Sequence, residues 1–240
     1  MRAILTYHSI DDSGSPISIS AAAFQRHVDF LSSGAVNVVP LSAIQDAADE
    51  SVAITFDDGL TNFAEQAWPR LRERGLPATL FVVTARAGEE NDWEGRRDTR
   101  VPHSKLLGWD ELRKLAGEGL ELGSHSRAHP HLDRVADARL IEEIEGSADD
   151  LTRLAGVRPQ SFCYPYGSFD ERAVSAVART YQRACTTQLA ALGSRESAHR
   201  LPRLDAFYFR SKGRLEGFGG LAFQARIQLF AAARNLRARL

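Results

Sequence analysis

Short apolar runs rich in β-branched and aromatic residues alternate with stretches whose apolar positions recur at helical spacing. The runs at residues 3–7 (AILTY), 52–56 (VAITF), 80–83 (LFVV), 120–124, 162–164, 184–187 and 201–204 read as strands. Phe24, Val28 and Leu31 set a helical stripe within residues 21–33, and Ser20 stands where an N-cap belongs. Helices are expected over 62–74, closed by Gly75, and over 109–116 and 170–181. The longest covers 138–155, with Leu140, Ile141, Ile144, Leu151 and Leu154 on its apolar face and Gly156 after it. Such alternation predicts a parallel sheet covered by helices. Seven strand–helix repeats favour a closed or nearly closed barrel over an open doubly wound sheet. The dinucleotide fingerprint and the phosphate loop that would support the open form are both absent.

The C-terminal segment has a different character. Residues 210–240 contain Arg210, Lys212, Arg214, Arg226, Arg234, Arg237 and Arg239 against Glu216 alone, a balance of +6 in a chain whose net charge is −1. A helix is expected over 221–240, with Leu229, Ala233, Leu236 and Leu240 along one side and Phe223, Ile227 and Phe230 next to it. Two placements fit: packed on the barrel, or lying through residues 218–240 on an anionic membrane surface or a partner. The expected division is a domain over 1–209 and a basic helical extension over 210–240. With 30 basic against 31 acidic residues, no global positive field favours nucleic acid. Cys163 and Cys185 match no disulfide framework or metal-binding pair spacing. The opening MRAILTYHSIDDSGSP has no secretory apolar core, and no run approaches a membrane span. The expectation is a cytoplasmic protein, with peripheral placement at the inner membrane surface if the C-terminal helix engages lipid.

Three short motifs carry candidate chemistry. In TFDDG, Asp57 and Asp58 stand where an apolar strand ends and a glycine turn begins. Adjacent carboxylates repel unless a cation or shared proton compensates, so one can bind a metal while the other acts as a base; a capped Asp-Asp-Gly turn is the plain alternative. In HSRAHP, His125 and His129 follow another strand and can converge on one cation. Asp58 with His125 and His129 would form a two-histidine, one-carboxylate site of the hydrolytic kind. In FCYPYG, an aromatic–proline–aromatic–glycine turn closes a strand and can aim a backbone N–H at an oxyanion.

In their order and spacing these motifs resemble the NodB-homology polysaccharide deacetylases, carbohydrate esterase family 4, over roughly residues 1–205; LTYHSI also resembles one branch of that family. The resemblance implies a single-domain α/β fold, a distorted (β/α)7 barrel. It implies a divalent metal on Asp58, His125 and His129, usually zinc and sometimes cobalt or nickel. It makes Asp57 the general base and the Tyr166 backbone N–H the oxyanion donor. The implied reaction removes an N-acetyl group, or a formyl group, from an amino sugar of a polysaccharide or glycolipid precursor. Tyr164 and Pro165 of the same turn, and Trp93 in the long polar stretch 86–104, are candidates for contact with the N-acetylated carbohydrate; Trp93 is equally readable as a loop anchor. The chain departs from the pattern twice. Cys163 stands where many members carry an arginine that orients the base, and Arg203 is the candidate replacement. The motif that supplies a general-acid histidine is absent, leaving His8, with His199 weaker; His8 also reads as a hydrogen-bonded residue of the pocket floor. Two other functions stay open: an amidase acting on a non-sugar C–N bond, and a carbohydrate-binding protein that has lost catalysis.

Overall fold

The computed structural model describes residues 1–93 and 99–237. Its first half runs β1 (Arg2–Tyr7), β2 (Ser9–Ile10), β3 (Ser18–Ile19), α1 (Ala21–Leu31), β4 (Asn37–Val38), β5 (Ser51–Phe56), α2 (Trp68–Glu73), β6 (Thr79–Val82) and α3 (Trp109–Gly117). It continues with β7 (Glu121–Ser124), α4 (Asp137–Asp150), β8 (Ser161–Cys163), α5 (Glu171–Thr180), β9 (Arg183–Leu189), β10 (Leu201–Asp205) and α6 (Leu221–Arg237).

Seven strands, β5 to β10 and then β1, pair in parallel, and β1 closes the ring by pairing with β5 from Arg2↔Ser51 to Tyr7↔Phe56. That seam excludes the open sheet. The ring is distorted for identifiable reasons. β4 occupies the lower edge of β5, through Asn37↔Ser51 and Val38↔Val52, so β6 meets β5 at Thr55 and Phe56. β7 and β8 meet at Ser124↔Phe162, and the β9–β10 register shifts between Leu201 and Arg203.

Strand periodicity divides the buried residues into two layers. Ile4, Ala53, Phe81, Cys163, Cys185 and Leu201 form one cluster that fills the barrel. Their strand neighbours Leu5, Ile54, Leu80 and Leu204 belong to the larger cluster beneath α1, α2 and α3, while Phe162 packs with Leu140, Ile144 and Val177 of α4 and α5. Ser20 caps α1 by accepting from the Ala23 N–H, as its position predicts.

Some elements differ from expectation. The helix over 62–74 opens with a wide π turn at Phe63–Ala67, in which the Trp68 N–H reaches the Phe63 carbonyl, before α2 begins. Pro69 explains it: proline has no N–H and clashes with the carbonyl four residues back, and a widened turn relieves both. The 138–155 helix also widens, at Leu151–Ala155, before Gly156 stops it at φ 71°. The two-residue strands β2, β3 and β4 are too short to leave a sequence pattern.

The C-terminal helix packs on the barrel by its aromatic side. Phe223 and Ile227 are buried in the cluster that holds Leu204, Phe209 and Leu215. Leu221, Leu229 and Leu236 face outward, and Leu240 lies outside the described residues. No helix among the described residues is long and apolar enough to cross a membrane.

Candidate active site

The motif residues follow strands at the carboxyl end of the barrel, the end where parallel α/β folds gather their sites. The strand ladder carries one residue beyond each strand: the Asp57 N–H donates to the Tyr7 carbonyl at 2.9 Å, the His125 N–H to Val82 at 2.8 Å and the Tyr164 N–H to Cys185 at 3.1 Å. Beyond that step the backbone turns sharply. Among the described residues, five non-glycine residues have positive φ, and four of them, Asp58, Ser126, His129 and Tyr166, stand at this mouth. Left-handed backbone is costly for such residues and persists where surrounding structure dictates it, commonly at functional sites. Gly167, at φ 67°, is required twice over, since a Cβ there would lie 2.0 Å from Thr187 Oγ1.

The two carboxylates of the DDG turn meet different surroundings. Asp57 is clamped by Arg203 from β10, with Nη1 to Oδ1 and Nη2 to Oδ2 both at 2.7 Å. Arg203 is itself only 1% exposed and is held by its Nε on the Thr186 carbonyl and by Nη1 on Thr55 Oγ1. Burial disfavours a charged Asp57, but the adjacent guanidinium outweighs it and holds the carboxyl well below the usual range. The Cys163 thiol lies 3.0 Å from Arg203 Nη2 and donates to Asp57 Oδ2 at 3.6 Å. Burial pushes that thiol up, so it stays protonated and is no nucleophile.

Asp58 faces imidazoles. Its Oδ1 lies 3.6 Å from both His125 Nε2 and His129 Nε2, and the three side chains are buried with donor atoms within 4.8 Å of one another. The His125 Nδ1–H donates to the Cys163 carbonyl at 2.7 Å, which fixes the tautomer and leaves Nε2 bare. Burial lowers the pKa of both histidines and raises that of Asp58, so two neutral imidazoles and one uncompensated carboxyl converge. This donor set suits zinc or a similar divalent ion. Asp57, His125 and Cys163 also approach one another, but the Arg203 cation and a protonated thiol make that corner hostile to a metal.

The loop between the histidines is pinned by Glu143 of α4, a residue sequence reasoning missed. Its buried Oε2 accepts the Arg127 and Ala128 N–H groups at 3.0 and 2.8 Å. One acidic residue among the several of α4 carries no local mark of this role.

A cavity of about 190 Å³ opens over the cluster, lined by His8, Asn91, Trp93, Tyr164, Tyr166 and Thr187 among others. Trp93 stacks on the His129 ring at 4.6 Å between centroids, so it anchors the site wall and not the core. Tyr166, 44% exposed, packs edge-on to His129 and stacks on His131. His8 Nε2 lies 3.7 Å from Asp57 Oδ2 at the cavity edge. Three expectations need correction. Pro165 is buried in the turn it starts and does not line the cavity, and Tyr164, although it borders the cavity, has its ring fully buried against Phe162 and Phe169. His199 spends its Nε2 on the Tyr181 carbonyl at 3.0 Å and stands outside the cavity.

A closed parallel barrel with carboxylates and imidazoles converging at its carboxyl end has the make-up of a barrel hydrolase. The family model described as polysaccharide deacetylase matches residues 45–184, and the chain belongs to that family. It is 26% identical over 233 residues to YxkH of Bacillus subtilis, covering 94% of this chain and 75% of that protein. It is 29% identical over 119 residues to the chitin deacetylase of Colletotrichum lindemuthianum, covering 50% of this chain and 43% of the other. The fold matches that of the Streptococcus pyogenes deacetylase PplD in complex with acetate, with a TM-score of 0.74 at 19% identity over 85% of this chain and 91% of the other.

Proposed function

We propose that this protein hydrolyses the acetamido group of an N-acetylated amino sugar within a larger carbohydrate. Water adds through oxygen to the amide carbon, the C–N bond breaks, and acetate and a free amine leave. The observation that carries the reading is the pairing of unlike carboxyls: Asp57 is held anionic by Arg203 beside an open donor set of Asp58, His125 and His129. Those three residues would hold a divalent cation, zinc before cobalt or nickel. Such a cation, when bound, polarises the amide carbonyl and lowers the pKa of water toward roughly 7.

The chain's own residues supply the rest. Asp57 accepts the proton of the attacking water, and Arg203 positions it without touching substrate. The Tyr166 backbone N–H, in the left-handed turn at the mouth, would donate to the oxygen on which negative charge develops. His8, beside Asp57 and partly exposed, is positioned to return a proton to the leaving amine. Trp93 and Tyr166 offer ring faces to a sugar, while the Tyr164 ring is fully buried against Phe162 and Phe169 and only supports the cavity. The cavity is smaller than the roughly 300–1,000 Å³ that encloses a whole ligand, so it admits a side group while the remaining sugar lies across the rim.

Acetate release from N-acetylated chitooligosaccharides by the zinc-loaded protein tests the reading. Asp57→Asn should abolish release while zinc still binds. Release from simple amides but from no N-acetyl sugar would replace the glycan reading with the amidase. Glycan binding without any hydrolysis would leave only the binding protein.

A further inference from the structure

The strongest unused feature is the outward face of α6. Four large hydrophobic residues are exposed among those described, and three stand on this helix: Leu221 at 87%, Leu229 at 67% and Leu236 at 63%. At 100° per residue they fall on one side with Ala222, Ala225, Ala232 and Ala233, all exposed, while Phe223 and Ile227 on the opposite side are buried. The helix therefore carries two apolar faces, and the barrel covers one.

Charge identifies what covers the other. From residue 217 to the chain end there is no acidic residue, while Arg226, Arg234, Arg237 and Arg239 are present. In the preceding loop, Arg210 and Arg214 donate to the Phe207 and Tyr208 carbonyls, which leaves their charge uncompensated. Among the described residues, Arg210, Lys212, Arg214 and Arg226 form no ion pair with a carboxylate, whereas Arg234 faces inward beside Asp205. A second copy packed two-fold on this face would set the same cationic helix against itself, which like charges oppose. A lipid surface with anionic headgroups accepts the leucines and the arginines together, since arginine stems lie along apolar surface while their heads reach phosphate.

The face is also close to the catalytic mouth. On the inner side of α6, Arg234 lines a recess with Asp205 and Arg203 that shares His8, Ile17, Tyr166 and Thr187 with the catalytic cavity. One helix, about 10–12 Å across, separates the outward leucines from that recess. We infer that α6 docks the protein on an anionic phospholipid surface by its Leu221–Leu229–Leu236 face. Its substrate is then an amino sugar presented at that surface, a second step that rests on the deacetylase reading.

Flotation with vesicles of phosphatidylcholine alone, or mixed equally with phosphatidylglycerol, tests the docking. The protein should bind the anionic vesicles roughly tenfold more tightly or better and release from them in high salt. Leu221→Glu, Leu229→Glu and Leu236→Glu combined should remove that binding and leave acetate release from soluble chitooligosaccharides unchanged, because all three side chains are solvent-facing. Equal binding to both vesicles, undiminished binding by the triple variant, or a dimer in sedimentation equilibrium that the variant dissociates would each overturn the inference, the last assigning the face to a second copy. Flotation without any acetate release would leave the docking standing and remove the deacetylase reading.

Discussion

The two halves of the barrel mouth, one residue apart in sequence, handle buried charge in opposite ways. Around Asp57 the chain supplies its own counter-ion: Arg203 meets both carboxylate oxygens, and Thr55 and Thr186 hold the guanidinium. Around Asp58 it supplies imidazoles that burial keeps neutral, and burial pushes the carboxyl's own pKa up. A buried carboxylate without a cation is unfavourable unless one arrives from outside. The contrast therefore separates a carboxylate fixed by the fold, the proposed base, from an open donor set, the proposed metal site.

The largest effect should come from breaking the completed half. Arg203→Ala leaves Asp57 buried and unpaired, a loss expected to cost about 3–5 kcal/mol in urea unfolding. Asp57→Asn added to it should recover much of that loss, because the stranded charge is gone. If the single variant stays within about 1 kcal/mol of the parent, the ion pair does not hold the site as argued.

The open half should respond the other way. Zinc at about a hundredfold excess over its Kd should stabilise the parent by about 2.7 kcal/mol. Asp58→Asn should lose this increment in thermal unfolding, yet the metal-free variant should be no less stable than the metal-free parent, because it removes an uncompensated buried carboxyl. Equal zinc stabilisation of parent and variant would place the metal elsewhere.

Next comes the loop that sets the histidine spacing. Glu143→Ala strands the Arg127 and Ala128 N–H groups, for about 1–3 kcal/mol. Glu143→Gln keeps an accepting oxygen and should retain most of that stability. Isothermal titration should show zinc affinity falling roughly 10- to 100-fold in the alanine variant, as when a partner that orients a ligand is removed.

How far these features can be read from sequence depends on whether their cause is local. Parallel strands buried on both faces leave continuous apolar runs, so the barrel strands were legible, whereas β2 to β4 were not. Asp57, Asp58, His125 and His129 stood out because each follows such a run. Arg203 could be named as a replacement for the missing arginine, but its two-pronged contact arises only when barrel closure joins residues 146 apart. Glu143 had no signal, since the N–H groups it holds belong to another element. Both apolar stripes of α6 were visible in the sequence. Which one the barrel covers is a tertiary fact, and the aromatic side took the place beside Phe209.

The smallest effect, and the finest test of the comparison, concerns Cys163. The resemblance to related deacetylases puts an arginine at this position, so the residue ought to matter if the base depended on β8. Here the β10 guanidinium already occupies both Asp57 oxygens, and the thiol adds one weak donor at 3.6 Å. Cys163→Ser keeps a donor of similar size beside Asp57 and Arg203. It should shift the urea midpoint by less than about 1 kcal/mol equivalent, since no charge is stranded and no large cavity opens. Acetate release should change little and keep its pH profile, because Asp57 stays clamped. A displaced acidic limb in Cys163→Ser would mean that the thiol, and not Arg203 alone, governs the base, and the self-sufficient half of the mouth would then extend from β10 to β8.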